Sequence, residues 1–203
     1  MSKYNFIYGK DYWVNAGTRN PVHEICYGWD LHKFKNERHG LWFSFNLQDR
    51  VNKKTKFAEI GCGLGRIAQW VAPHVKSYTG IDISSTMISG AIEYNKQFGN
   101  KNCHFVESTE LIEVTGQRKL DLAYSELVFI HLSREEQIKY IEQMFGALKT
   151  DGLCCVQIPK LSAYVNGFDP VEVKNILSQF EIVEEQEAPV LYNFLCKKTK
   201  RGN

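Results

Sequence analysis

The sequence predicts an α/β fold: a seven-stranded, mostly parallel sheet in three layers, closed by a C-terminal antiparallel hairpin strand and preceded by a helical extension. Three observations predict it. From residue 57 onward short apolar runs alternate with helical patterns, which is how parallel strands are joined under crossover helices. A glycine-rich turn, Gly61-Cys62-Gly63-Leu64-Gly65, leaves the first of those runs. Two strand-like runs, Phe180 to Glu185 and Val190 to Cys196, flank Ala188-Pro189 and read as a terminal hairpin.

The elements follow in order. Residues 1–50 are rich in aromatics and lack strand alternation; they hold Trp13, Trp29 and Trp42. Pro21 to Ile25 reads as a helix start, with Asn20 as its cap and Pro21 at the first helical position. Leu41 to Val51 reads as a second helix, running into the basic turn Asn52-Lys53-Lys54-Thr55-Lys56. Residues 51–197 form the main domain. Phe57 to Ile60 is its first strand, Gly65 to Pro73 a helix and Tyr78 to Ile83 the second strand. Ser84 can cap a helix that carries Met87, Ile88, Ala91 and Ile92 on one face. Cys103 to Val106 and Leu120 to Tyr124 are further strands. Ser133-Arg134-Glu135-Glu136 is a capping box, followed at helical spacing by Ile138, Ile141, Phe145 and Leu148. Asp151-Gly152 ends that helix before a buried strand, Leu153 to Ile158. Pro159 to Phe168 is a loop and Pro170 to Gln179 a short helix. A basic tail, residues 198–203, is expected to fray.

Composition excludes several classes. The chain has 203 residues, 43% hydrophobic and 24% charged, enough apolar material for one full core. A formal net charge of +2 does not call for a nucleic-acid partner, and the clusters Lys53-Lys54-Thr55-Lys56 and Lys197-Lys198 read as solvated charge. Cysteines 26, 62, 103, 154, 155 and 196 form no C-x-x-C pair, so neither a disulfide framework nor a zinc site is expected. No signal peptide and no apolar run of membrane-spanning length is seen; the expected location is cytoplasmic, with no membrane partner. Oligomeric state is not encoded.

The chemistry-bearing signal is the glycine turn. Glycines after a strand let the backbone turn sharply and approach a ligand, which would then meet free N–H groups at a helix start. Asp82 closes the second strand, 17 residues after Gly65. A carboxylate there can accept hydrogen bonds from both hydroxyls of a ribose, so the pair implies an adenosine-type ligand. The spacing is G-x-G-x-G with Glu59 in front, not the G-x-G-x-x-G of dinucleotide binders. A carboxylate is a poor neighbour for pyrophosphate and suits an ammonium or sulfonium ligand.

These residues resemble the class I S-adenosylmethionine (AdoMet)-dependent methyltransferases. Glu59 to Arg66 resembles the family's first motif and Gly80 to Ser84 its second. Cys103 to Glu110 resembles the segment that flanks the adenine, Asp121 to His131 the fourth-strand motif, and Leu148 to Leu153 the family's "LKPGG" turn. The resemblance runs from about residue 56 to 197 and implies a Rossmann-like fold, AdoMet as cofactor and S-adenosylhomocysteine (AdoHcy) as product, with no metal. It further implies that the backbone of Gly61, Cys62, Gly63 and Gly65, with Arg66 beside them, lines the methionine part. Glu59 would orient the loop and the amino group, Asp82 would hold the ribose, and Ile83 and Met87 would pack on the adenine. Ser108 or Thr109 would meet the adenine amino edge. The sequence departs from the family at Thr109, where many relatives carry Asp; Glu110 is the alternative there. Ser125 would lie beside the methionine moiety.

Methyl transfer from a sulfonium can rest on orientation and desolvation, and a base is needed only when the acceptor loses a proton. His131 is the first candidate base, since its pKa lies near neutrality; its other reading is a packed histidine that caps the next helix. Glu126 is the second, against a solvated or paired carboxylate. Tyr12 and Trp13 are candidate substrate contacts through their aromatic faces, as are Tyr164 and Phe168 after the fifth strand; otherwise such aromatics only cover sheet edges. In the family such an extension folds over the site as a lid. Ser125-Glu126-Leu127-Val128 lacks the Asn/Asp-Pro-Pro-aromatic motif of exocyclic-amine nucleic-acid methyltransferases, and no Pro-Cys dipeptide supports cytosine C5 methylation. The expectation is methylation of a nitrogen or oxygen on a small molecule. The alternatives are a protein or RNA methyltransferase and a non-catalytic AdoMet-binding subunit.

Overall fold

The structure, a computed structural model, describes residues 12–14, 40–162 and 166–199. Seven strands form one sheet: β1 (Lys56–Ile60), β2 (Ser77–Asp82), β3 (Cys103–Glu107), β4 (Leu120–Ser125), β5 (Leu148–Pro159), β6 (Phe180–Glu187) and β7 (Leu191–Lys198). Their order is β3-β2-β1-β4-β5-β7-β6. The first five are parallel, and β7 runs antiparallel between β5 and β6. The predicted hairpin therefore inserts its second strand into the sheet. The chain reverses its lateral direction at β1, which lies between β2 and β4, and crevices at the carboxyl ends of such strands are where α/β folds bind ligands.

Two apolar layers sandwich the sheet, as the alternation of side chains along each strand requires. Ala58 and Ile60 of β1 face one cluster with Ile141, Met144 and Ala147. Phe57, Tyr78, Leu122, Tyr124, Cys155 and Leu195 face the other, with Leu41, Trp42, Ala68 and Val71. The described helices are α1 (Leu41–Ser44), α2 (Ala68–Val71), α3 (Ser85–Lys96), α4 (Leu111–Thr115), α5 (Arg134–Ala147) and α6 (Pro170–Ile176). Residues 12–14 are also helical. None of the described helices is long and apolar enough to cross a membrane.

Several elements differ from the sequence reading for definable reasons. The helix expected over Leu41 to Val51 breaks into α1 and a 3-10 turn, Leu47–Arg50, because Asn46 takes a left-handed conformation at φ 48°. The helix expected over Gly65 to Pro73 shrinks to α2 and a 3-10 turn at Ala72–His74, since the glycine loop keeps its turn geometry through Ile67. Helix α4 was not foreseen; five residues carry too little periodicity. Ile92 and Ile138 are exposed rather than core-facing. Asp151, at φ 64°, makes a kink inside β5, and α5 stops before it at Ala147. The five described cysteines are free thiols.

The tail boundary also moves. Lys198 is not solvated charge: it is 8% exposed, and its ammonium donates to the carbonyls of Phe145 (2.5 Å) and Leu148 (2.7 Å). Those are carbonyls at the C-terminal end of α5, where a cation is favoured. The other end of α5 is fixed by the predicted capping box: Ser133 Oγ accepts from Glu136 N (3.2 Å) and Glu136 Oε2 accepts from Ser133 N (2.9 Å). Ser133→Ala should therefore lower stability by about 1 kcal/mol. Thermal unfolding should read this as a loss of roughly 2–4 °C in Tm.

Candidate active site

The site lies where β1, β2 and β4 end. The loop leaving β1 is tied down almost entirely by its own chain. Ile81 O accepts from both Gly61 N (2.7 Å) and Cys62 N (3.0 Å), Asp82 Oδ2 accepts from Gly63 N (2.9 Å), and Cys62 O accepts from Gly65 N (2.8 Å). Four of the N–H groups expected here to be free, those of Gly61, Cys62, Gly63 and Gly65, are thus already used, which corrects the sequence reading for them. A loop whose donors are spent offers little to a phosphate and leaves carbonyl and carboxylate oxygens to meet a ligand. Glycine is required at two points. At Gly61 (φ 69°) a Cβ would lie 2.2 Å from Val128 Cγ2, and at Gly65 (φ 66°) 2.6 Å from Phe105 Cε1. Cys62 is 6% exposed; its sulfur lies 2.9 Å from where a Cβ on Gly80 would be, and burial pushes its thiol pKa well up. It contributes backbone, not a nucleophile.

Two carboxylates border the loop. Asp82 Oδ1 accepts from Ser84 N (3.0 Å) while Oδ2 holds Gly63, so the side chain fixes both the loop and the start of α3. Burial raises its pKa, and these N–H bonds oppose the rise. Glu59 is 5% exposed and accepts a hydrogen bond from the Tyr78 hydroxyl. Burial lifts its pKa from an ordinary 4.5 to about 8, against the opposing pull of Tyr78 and Arg66. A cationic group brought beside it would restore the ionised form.

Glu126 turns inward. Its side chain is 4% exposed, it accepts from the Tyr124 hydroxyl, and its Oε2 lies 3.8 Å from Arg66 Nη2. Trp42 N donates to Tyr124 Oη (3.3 Å), and a Cβ on Gly40 would fall 2.2 Å from Glu126 Oε1. A carboxylate so enclosed positions its neighbours; it cannot reach an acceptor, which corrects its assignment as a base. Ser125 is 1% exposed and its hydroxyl donates to Ile60 O (3.3 Å), so its side chain ties β4 to β1 rather than facing an open site.

The aromatic segment covers this ground. Tyr12 and Trp13 pack on Leu64, of the glycine loop, and Met87, of α3. The Trp13 ring lies 4.8 Å from the His131 ring, centroid to centroid, at 64°. His131 ends a 3-10 turn, Phe129–His131, just beyond β4.

A methyltransferase-domain family model matches residues 58–154, the stretch from β1 through the loop and Asp82 into β5. That match agrees with the resemblance of the sequence motifs to the class I AdoMet-dependent methyltransferases. A curated relative, the phosphoethanolamine N-methyltransferase of Plasmodium falciparum (isolate 3D7), is 26% identical over 151 residues, covering 73% of this chain and 48% of the relative. The chain thus spans about half the length of that relative. Among solved structures, an AdoMet-dependent methyltransferase from Aquifex aeolicus superposes with a TM-score of 0.66 at 15% identity, covering 88% of this chain and 98% of the other. The magnesium protoporphyrin IX methyltransferase of Synechocystis PCC 6803, with bound AdoHcy, gives 0.69 at 15% identity over 94% and 97%. At these identities the structural likeness is one of fold.

Against this methyltransferase frame, the loop, Glu59, Asp82, half-buried Ile83, Met87, Tyr12, Trp13 and His131 gather around the ends of β1, β2 and β4. At the end of β3, Ser108 N donates to Asp82 O (3.0 Å) and Ser108 Oγ accepts from Glu110 N (2.9 Å). Thr109 O accepts from Gln143 Nε2 (3.4 Å), while the Glu110 carboxylate pairs with Lys139 Nζ at 2.5 Å and so is engaged by α5. Phe168 is 1% exposed in the core, with the Arg134 guanidinium 4.3 Å from its ring centroid, so it is not a pocket wall. Tyr164 lies outside the described residues. Sequence reasoning missed Tyr78, Tyr124 and Gln157. The first two sit on strands as ordinary core aromatics: Tyr78 lies opposite Phe57, two residues before Glu59, and Tyr124 lies two residues before Glu126 on its own segment, and only the fold brings their hydroxyls onto these carboxylates.

Glu59 makes the cofactor-free protein sensitive to pH. The unfolded chain loses this proton near 4.5 and the folded chain keeps it to about 8, so between these values the folded state binds more protons. Its contribution to stability is full below 4.5 and is lost as pH rises through about 8. Relative to Glu59→Gln, the cofactor-free protein should lose Tm steadily from pH 5 to 8; parallel Tm profiles for the two proteins would contradict the buried-proton account.

Proposed function

We propose that this chain transfers a methyl group from AdoMet to a nitrogen or oxygen of a small-molecule acceptor. The observation that carries the reading is the donor set of the glycine loop: the N–H groups of Gly61, Cys62, Gly63 and Gly65 are spent within the protein, and Glu59 and Asp82 stand beside it. That arrangement fits a ligand with ammonium and sulfonium charge and a ribose diol better than one with a pyrophosphate. When bound, AdoMet would supply an electrophilic methyl group on a positive sulfur.

The chain's own residues account for the rest. Glu59 would take the amino group and Asp82 the ribose hydroxyls, using the lone pairs left over from Gly63 and Ser84. Ile83 and Met87 would pack on the adenine, with the Ser108–Glu110 turn at its edge; Thr109 is the member of that turn whose side chain we assign to the amino group. Tyr12 and Trp13 would exclude water above the loop, which strengthens every electrostatic contact beneath. His131, set against Trp13, would accept the proton that a neutral nitrogen or hydroxyl acceptor must lose. A cover of aromatic side chains over the loop favours a small acceptor over a protein or RNA surface, and the acceptor names of the curated relative and of the Synechocystis enzyme are small molecules too.

Calorimetry should find sub-millimolar binding of AdoMet and AdoHcy; no binding of either would sink the cofactor assignment. Asp82→Ala should weaken AdoHcy by more than tenfold while far-UV circular dichroism stays unchanged. In contrast, His131→Ala should lower turnover by about 10²–10⁴ with little effect on AdoHcy affinity, the range expected for loss of a general base. Unaltered turnover would remove His131 from the chemistry.

A further inference from the structure

Leu127 stands at the carboxyl end of β4 in a conformation that leucine seldom adopts. Its φ is 59°, and its side chain is 48% exposed. Each is unfavourable: the left-handed region crowds a branched side chain against the backbone, and an exposed isobutyl group forfeits burial.

The neighbours explain how the residue is held. Glu126, before it, turns inward to Tyr124 and Arg66. Val128, after it, turns onto the glycine loop and touches Gly61. The N–H of Leu127 donates to Gln157 Oε1 (3.0 Å), and Gln157, on β5, is itself only 9% exposed. With both flanking side chains committed to the protein and its backbone clamped by Gln157, Leu127 projects outward one residue from the side chain that abuts the loop. His131, with Trp13 against it, follows four residues later on the same segment.

The groups around the glycine loop are mostly acids: Asp82, Glu126 and Glu59, the last protonated to about pH 8, with Arg66 3.8 Å from Glu126. Lys160, beyond the end of β5, lies 4.9 Å from the Tyr192 ring centroid and 3.5 Å from Glu187. Among the described residues, then, the end of β4 presents an alkyl group flanked by acids where a phosphate would need cations.

We infer that Leu127 is an acceptor-binding residue that selects a molecule with an apolar body and no phosphate. The inference rests on the methyltransferase reading and departs from the acceptor that the curated relative's name gives. Backbone strain kept at this point would serve to aim the isobutyl group at the acceptor.

Two probes separate the cases. Phenethylamine and phosphoethanolamine are both primary amines two atoms from the group that differs, an aromatic ring in one and a phosphate ester in the other. On protein saturated with AdoHcy, calorimetry should find phenethylamine at least tenfold tighter than phosphoethanolamine. Leu127→Asp should weaken phenethylamine at least tenfold with AdoHcy affinity unchanged. Leu127→Gly should do the same while raising or preserving Tm, because glycine accepts the positive φ; a merely structural leucine would show the reverse, a lower Tm and unchanged probe binding. Equal binding of the two probes, tighter phosphoethanolamine, or no binding of either to AdoHcy-loaded protein overturns the proposal. Failure of AdoHcy itself to bind would be a different result, counting against the methyltransferase reading.

Discussion

The end of β2 holds the loop that follows β1, and the site is built on that clamp. Two N–H groups converge on the carbonyl of Ile81 and a third on the carboxylate of Asp82. Three successive loop residues are thereby fixed against the neighbouring strand before any ligand arrives. The positive φ angles at Gly61, Gly63 and Gly65 follow from this, because the chain must fold back on β2 within a few residues. So does the place of Val128, which fills the space that a side chain on Gly61 would have taken. Asp82 acts twice, since its second oxygen organises the first turn of α3 through Ser84. A mutation there would loosen the loop and remove the proposed ribose contact together, while Ser84 still caps α3 through Met87 N.

The clamp determines the electrostatics. Spending the N–H groups of Gly61, Cys62, Gly63 and Gly65 internally leaves few to stabilise added negative charge, while Glu59 and Glu126 are buried behind the loop with Arg66 near them. Two buried tyrosines, Tyr78 and Tyr124, each give a hydroxyl hydrogen to one of these acids. Burial costs a carboxylate more than these bonds return at Glu59, so the proton stays on to about pH 8. Without its ligand the protein thus keeps a neutral acid where a cation would need an anion. If Glu59 takes the amino group as proposed, arrival of an ammonium would reverse the balance and expel a proton, so recognition of charge and release of a proton would become a single event.

How much of this was legible in the sequence depends on range. The strands themselves were readable because each is a short apolar run bounded by turn residues, and the inserted hairpin strand because Ala188-Pro189 interrupts two such runs. The capping box at Ser133 was readable because its whole mechanism lies within four residues. Glu59, the glycines and Asp82 were readable as a spacing. What escaped depends on contacts between residues far apart in the chain: Tyr124 is 82 residues from Trp42, and Lys198 is 50 from the Leu148 carbonyl it meets. Lys198 looked like tail charge because nothing local says that β7 ends beside the last turn of α5. Phe168 looked like a wall because a loop aromatic gives no sign of which way it faces. Ser125 and Glu126 looked like active-site groups because they follow the right strand; only coordinates reveal that both turn inward.

That inward turn bears on how the extension relates to the site. Trp42 and Gly40 precede the sheet, yet one donates its N–H to Tyr124 and the other presses against Glu126. Phe45 and Leu47 lie in the same apolar layer as β1 and β4. The segment from Gly40 to Leu47 is therefore part of the main core, and the acids behind the loop are sealed by it rather than by the strands alone. Trp13, further upstream, reaches the opposite side of the loop through Leu64 and Met87. The glycine loop is consequently held between two parts of the same N-terminal region, one beneath its buried acids and one above its ligand face. The lower contact is fixed by the core that the sheet needs in order to fold, whereas the upper one, among the described contacts, rests on Leu64, Met87 and His131.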